Sequence, residues 1–137
     1  MDIKDVIEFA NRNKTCFLST VDNNKPRVRA MLMWFSDETG FYFHTGTMKS
    51  LYKQLKDCPD VEICFFTPSA QSGKNMLRIT GRVEFADELK DKLTEERPFT
   101  KEFGDRLAIF KVSGGEAFFW SMKDNTKENE IKKIVLN

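Results

Sequence analysis

The chain has no surplus of charge of either sign: 22 lysines and arginines stand against 21 aspartates and glutamates in 137 residues. No bulk field therefore draws it to nucleic acid or to a membrane surface, and any anion it binds is held by local geometry. Cysteine is scarce and odd in number, at Cys16, Cys58 and Cys64. The three lack the paired spacing of a metal site, and each stands where a small apolar residue packs, so free thiols in a reducing compartment are expected. Histidine occurs once, at His44, with no second ligand at a useful spacing, so no metal centre is expected. No apolar stretch approaches the roughly 20 residues that cross a bilayer. The opening Met1-Asp2-Ile3-Lys4-Asp5 lacks a basic region followed by an apolar run, so no secretory leader is expected. The expectation is a soluble cytoplasmic protein with neither a membrane nor nucleic acid among its partners. No Ser/His/Asp or paired-carboxylate apparatus stands out either, which turns attention to a cofactor.

Aromatic residues are plentiful: 13 phenylalanines and two tryptophans exceed what a minimal core needs, and flat rings stack well on flat ligands. The length suits one domain with a real core. Ile3, Val6, Ile7 and Ala10 recur at helical spacing after Asp2, a capping residue, and predict an opening helix that ends near Asn13. Thr15 to Val21 reads as a strand, Asp22-Asn23-Asn24-Lys25 as a hairpin turn, and Arg27 to Phe35 as the returning strand. Ser36 to Gly40 turns into the strand Phe41 to Phe43, which extends an antiparallel meander.

Ser50, Leu51 and Leu55 mark a helix that stops before Cys58-Pro59, because the residue before proline disfavours helical backbone. Val61 to Phe66 and Met76 to Phe85 are strands, the second with Gly81 inside it, where a bulge or barrel bend is expected. Asp87 to Glu96 is expected to be helical up to Arg97-Pro98. Leu107 to Val112 is expected to pair with Glu116 to Met122 across Ser113-Gly114-Gly115. Residues 1–122 thus form one α+β domain, mainly β, of roughly seven antiparallel strands and two or three helices closing a small barrel. Residues 123–137 are a charged tail whose Ile131, Ile134, Val135 and Leu136 suit docking as a last helix or strand.

The most informative stretch is Phe41-Tyr42-Phe43-His44-Thr45-Gly46-Thr47-Met48-Lys49-Ser50, an aromatic strand that runs through a polar turn into a helix. A helix N-terminus presents unpaired N–H groups and partial positive charge, so hydroxyls and a lysine there suit a phosphate. The preceding strand, Pro26 to Trp34, carries Arg27 and Arg29, a source of a second cation for the same anion.

Three segments in this order and spacing resemble the pyridoxamine 5′-phosphate oxidase-like, FMN-binding split-barrel superfamily, in its short branch of nitroimidazole-resistance (Nim) and general-stress proteins. They are Phe17-Leu18-Ser19-Thr20-Val21-Asp22, Pro26-Arg27-Val28-Arg29, and Phe43-His44-Thr45 followed by Lys49 and Ser50-Leu51-Tyr52-Lys53-Gln54-Leu55. The likeness runs from about Asn11 to Met122 and implies a small antiparallel split β-barrel with flanking helices. It implies FMN as cofactor, with Arg29, Thr45, Thr47, Lys49 and Ser50 at the phosphate and the backbone of Ala30, Met31, Leu32 and Met33 along the ring edge. Met48 stands where the oxidases usually have arginine. The family's homodimers carry a flavin at each subunit interface, and Met76, Leu77 and Trp120 fall where the partner chain usually contributes.

His44 falls where Nim proteins often carry a histidine, which implies a proton donor or substrate contact beside the flavin. The resemblance does not extend to pyridoxamine 5′-phosphate oxidation. Trp34 replaces the substrate-binding lysine, and no Arg-x-His group follows Trp120. The implied activity is an FMN-dependent oxidoreductase acting on a small oxidised organic molecule such as a nitroaromatic. The alternative is a flavin- or haem-binding carrier or sensor without turnover.

Overall fold

A computed structural model describes residues 1–137. Helix α1 (Ile3–Arg12) opens on a reciprocal capping box between Asp2 and Asp5 and buries Val6, Phe9 and Ala10, the residues its 3.6-residue period aligns. Strands β1 (Thr15–Asp22) and β2 (Lys25–Leu32) are joined by Asn23-Asn24, whose φ values of 50° and 63° are those of a tight hairpin turn. A second hairpin joins β3 (Phe35–Asp37) to β4 (Gly40–Gly46), and α2 (Ser50–Asp57) follows. Strands β5 (Asp60–Gln71) and β6 (Lys74–Phe85) form the long central hairpin. After α3 (Lys90–Glu96) come β7 (Leu107–Ser113), β8 (Glu116–Trp120) and a short β9 (Ile134–Val135).

The strands build one antiparallel sheet in the order β2-β1-β5-β6-β7-β4-β3, with β8 and β9 branching from β6. β2 and β3 lie at opposite ends of that order, which is the split of a small antiparallel split β-barrel with flanking helices. Its interior holds Leu18, Phe43, Phe65, Leu77, Ile79 and Phe110, all fully buried. Phe43 and Phe110 stack with ring centroids 5.3 Å apart, and truncating either to alanine would cost about 3–5 kcal/mol. Helix α2 packs against β1 and β4 and buries Leu51, Gln54 and Leu55. A second cluster of Trp34, Tyr42, Leu93, Leu107 and Ile109 lies on the other face of β4 and β7, under α3. Both strands are therefore covered on both faces.

The connectivity departs from the expected meander in four places. The strand expected over Arg27 to Phe35 breaks after Leu32: the Met33 amide donates to the Lys14 carbonyl, whereas the Trp34 amide donates to Tyr42. Two successive residues thus bond to different halves of the barrel, and β2 and β3 become separate strands. Second, β7 and β8 do not pair with each other; Arg82–Phe85 of β6 pairs with β7 and Met76–Ile79 with β8. The exchange occurs beside Gly81, where a Cβ would stand 2.8 Å from the Ser113 carbonyl and from Val112 Cγ1. Third, of the bulge or barrel bend expected at Gly81, no bulge occurs but β6 changes partner there; the register shift lies between Phe66 and Gln71 of β5, around Pro68. Fourth, the helix expected from Asp87 starts as a 3-10 turn over Asp87–Leu89 and becomes α-helical only at Lys90. The C-terminal residues return to the sheet: β9 pairs with β8, and Leu136 is buried in the main core.

Candidate functional site

Arg29 pairs in register with Leu18, so its side chain takes the inward face of β2. Half-buried there, it donates from Nη1 to the Leu18 carbonyl (3.3 Å) and Thr20 Oγ1 (2.8 Å), and from Nη2 to Gln54 Oε1 (2.6 Å). A guanidinium has five N–H donors, so this cradle leaves the Nε–H and one Nη2 hydrogen free for an incoming acceptor. Gln54 belongs to α2, and its Oε1 also accepts from Thr20 Oγ1 at 2.6 Å, which fixes Arg29 alongside that helix. No carboxylate pairs with Arg29 among the ion pairs of the chain.

The turn into α2 is built from unmatched donors. The helix begins without a side-chain cap, and the Ser50 and Leu51 amides have no acceptor. Thr45, at the end of β4, is 2% exposed, and its hydroxyl is the one buried side-chain polar atom without a partner. An orphaned buried hydroxyl costs about 1–3 kcal/mol unless something completes it. Gly46 is required by crowding, because a Cβ there would run into the Met48 thioether and into Phe103. Thr47, Met48, Lys49 and Ser50 are exposed. These groups fit a phosphate in charge and donor chemistry.

His44 is adjacent to Thr45 and therefore points to the opposite face of β4. Its half-buried ring lies edge-on to Phe99 and Phe103, at centroid distances of 5.9 and 6.1 Å. Arg97 Nη1 stands 3.5 Å from His44 Nδ1. Burial, then Arg97, then Lys49 bring the imidazole down to a pKa of about 4. The Lys49 ammonium lies 5.8 Å from the centre of the Phe103 ring. Lys49 is thus within electrostatic reach of His44, and it takes part in no ion pair.

The remaining expected site residues divide by face. The two-residue turn makes Asp22 and Lys25 a hydrogen-bonded pair, so alternate residues of β2 bond to β1. The backbone groups of Ala30 and Leu32 consequently face the open edge, whereas those of Met31 are spent on β1. Met33 is also spent: its amide donates to Lys14, its carbonyl accepts from Arg97 Nη2 at 2.9 Å, and its side chain is fully buried. Leu77 likewise lies wholly in the core, its backbone flanked by Phe65 and Phe119. Met76 and Trp120 are register partners, and Met76 also faces Phe66. They share the outer face of the sheet with Phe17, Val28 and Leu32, large apolar residues that are about half-exposed or more.

Sequence reading missed Gln54, Thr20 and Arg97. Gln54 was detectable as a polar residue at helical spacing from Leu51, on the stripe that α2 buries. Arg97 carried no local signal beyond a helix end before proline.

The pyridoxamine 5′-phosphate oxidase family profile matches residues 3–126. A NimC/NimA family protein from Clostridium acetobutylicum is 26% identical and superposes with a TM-score of 0.76, over 98% of this chain and 92% of that one. General Stress Protein 26 from Bacillus anthracis is 15% identical, with a TM-score of 0.72 over 99% of this chain and all of that one (100%). The haem storage protein HutZ from Vibrio cholerae is 18% identical, with a TM-score of 0.59 over 82% of this chain and 89% of that one. Among curated proteins none matches significantly. The profile takes in α1, every long strand and the whole α2 turn, and the chain belongs to the pyridoxamine 5′-phosphate oxidase-like family of split-barrel proteins.

Proposed function

We propose that the protein is an FMN-binding oxidoreductase of the Nim type that reduces a small oxidised organic compound such as a nitroaromatic. The observation that carries this reading is the group of unmatched donors at the start of α2: the Thr45 hydroxyl and the Ser50 and Leu51 amides. Arg29, with two free donors, Thr47 and Lys49 complete the phosphate anchor. The open backbone edge of Ala30 and Leu32 would meet the flavin ring, and the flavin, when bound, supplies the electron transfer. His44 would act as a proton donor or substrate contact beside the flavin.

The exposed apolar face bearing Phe17, Val28, Leu32 and Phe66 supports a homodimer. Met76 and Trp120 on that face would then reach the partner's flavin. No helix is long and apolar enough to cross a membrane, and the free cysteines accord with a cytoplasmic setting. Pyridoxamine 5′-phosphate is not proposed as substrate, since Trp34 is buried and its indole donates to Glu96 at 3.2 Å.

The deciding experiment is an absorption spectrum of the purified protein with mass identification of any released chromophore, followed by titration of the apoprotein with FMN. A flavin spectrum or saturable FMN binding supports the proposal. A haem band, or no binding of FMN, overturns it in favour of a haem carrier or a ligand-free module.

A further inference from the structure

We propose that Arg97 is a positioning residue for His44, holding the imidazole as a neutral Nε2–H donor aimed at an electron-rich oxygen of the substrate, of the nitro or carboxylate class. The use of that donor rests on the reading of the site given above; the ring's orientation does not.

Arg97 is the C-cap of α3, its amide donating to the Leu93 carbonyl at 2.7 Å. Pro98 follows at once, so its backbone is set from both sides. The guanidinium then spans two structures. Nη2 donates to the Met33 carbonyl at 2.9 Å, where the chain crosses between β2 and β3, and Nη1 meets His44 Nδ1 at 3.5 Å on β4. A guanidinium only donates, so Nδ1 must accept and the imidazole proton resides on Nε2. Phe99 and Phe103 flank the ring, which limits its freedom to flip.

The charged groups facing His44 are Arg97 and Lys49. Neither takes part in an ion pair. The nearest acid along the chain, Glu96, is turned to the Trp34 indole. Glu96 acts electrostatically on its neighbour Arg97, but no carboxylate faces the imidazole, and two cations beside a neutral N–H donor make a local field that favours an anionic or strongly polarised oxygen. Burial and both cations resist protonation of His44, so the donor persists at neutral pH.

His44 is the only histidine, so its ring nitrogens give unambiguous NMR signals in the full chain. The expected result is the Nε2–H tautomer with no titration from about pH 5 to 8. An Nδ1–H tautomer, or titration near the ordinary value of about 6.5, overturns the proposal even without a variant. Arg97→Gln is expected to mix the tautomers and move the titration upward. Because that variant also loosens Met33, Arg97→Lys is the second test: it keeps the charge and a bond to Met33 but loses the fork, and the tautomers are again expected to mix. Unchanged His44 signals in a folded variant count against a positioning role. Adding 4-nitrobenzoate should shift the Nε2–H signal, and no shift overturns the substrate class. With FMN loaded, Arg97→Lys should lower kcat about tenfold with FMN affinity unchanged; an equal loss of affinity overturns the assignment. The NMR readout needs no flavin, so failure of FMN binding and failure of this inference remain distinguishable.

Discussion

Arg29 offers the sharpest test, because it is bound on one side by the protein and free on the other. Replacing it with alanine removes two short bonds, 2.8 Å to Thr20 Oγ1 and 2.6 Å to Gln54 Oε1. Each such bond to a charged group contributes about 1.5–3 kcal/mol where nothing replaces it. Two effects reduce the net cost. Thr20 and Gln54 remain bonded to each other at 2.6 Å, and burial, which presses the Arg29 guanidinium below its ordinary pKa, is relieved. The apoprotein should therefore lose about 1–2 kcal/mol of stability. The loss of a charge-assisted phosphate contact is separate and larger in its consequence: about 1.5–3 kcal/mol, or about 10- to 150-fold in the Kd for FMN. Arg29→Lys keeps the charge without the fork and should fall between. Urea unfolding of the apoproteins and fluorescence titration with FMN measure the two effects independently. If Arg29→Ala is destabilised as expected yet binds FMN within about twofold of the parent, Arg29 serves only the Thr20–Gln54 network and the phosphate reading of this residue is wrong.

Three further expectations follow from the geometry. Val28→Lys places a charge on the exposed apolar face and should convert a dimer to monomer across a micromolar dilution series; a parent that sediments as a monomer while holding FMN tightly refutes the interface site. His44 drops from 6.5 to about 4 on folding, so the unfolded chain binds this proton first as pH falls. Its contribution is complete above about 6.5 and is lost toward pH 4, so the parent should lose more stability than His44→Gln between neutral and mildly acid pH in urea melts. Gly115 abuts the Thr80 carbonyl, with no room for a Cβ, so Gly115→Ala should cost about 3 kcal/mol; an unchanged urea midpoint would show that the β7–β8 turn relaxes freely.

Features that adjacent residues encode were legible without the fold. Asp2 with Asp5 starts α1, Asn23-Asn24 accepts the positive φ of the first hairpin, and the polar turn before Ser50 starts α2, because caps and turns act over a few residues. The run of hydroxyls and the lysine from Thr45 to Ser50, which carry the proposed anion site, were legible for the same reason. Alternation along β4 put His44 and Thr45 on opposite faces, but which face becomes the barrel interior depends on what packs there. Pairing between β6 and its two neighbours, and the break at Met33-Trp34, were not legible, since a strand's period specifies faces and not partners. The contact from Arg97 to His44 spans 53 residues and is set by where α3 ends against β4. A helix-ending arginine meets the one imidazole of the chain because packing brings them together, and no run of adjacent residues encodes that meeting.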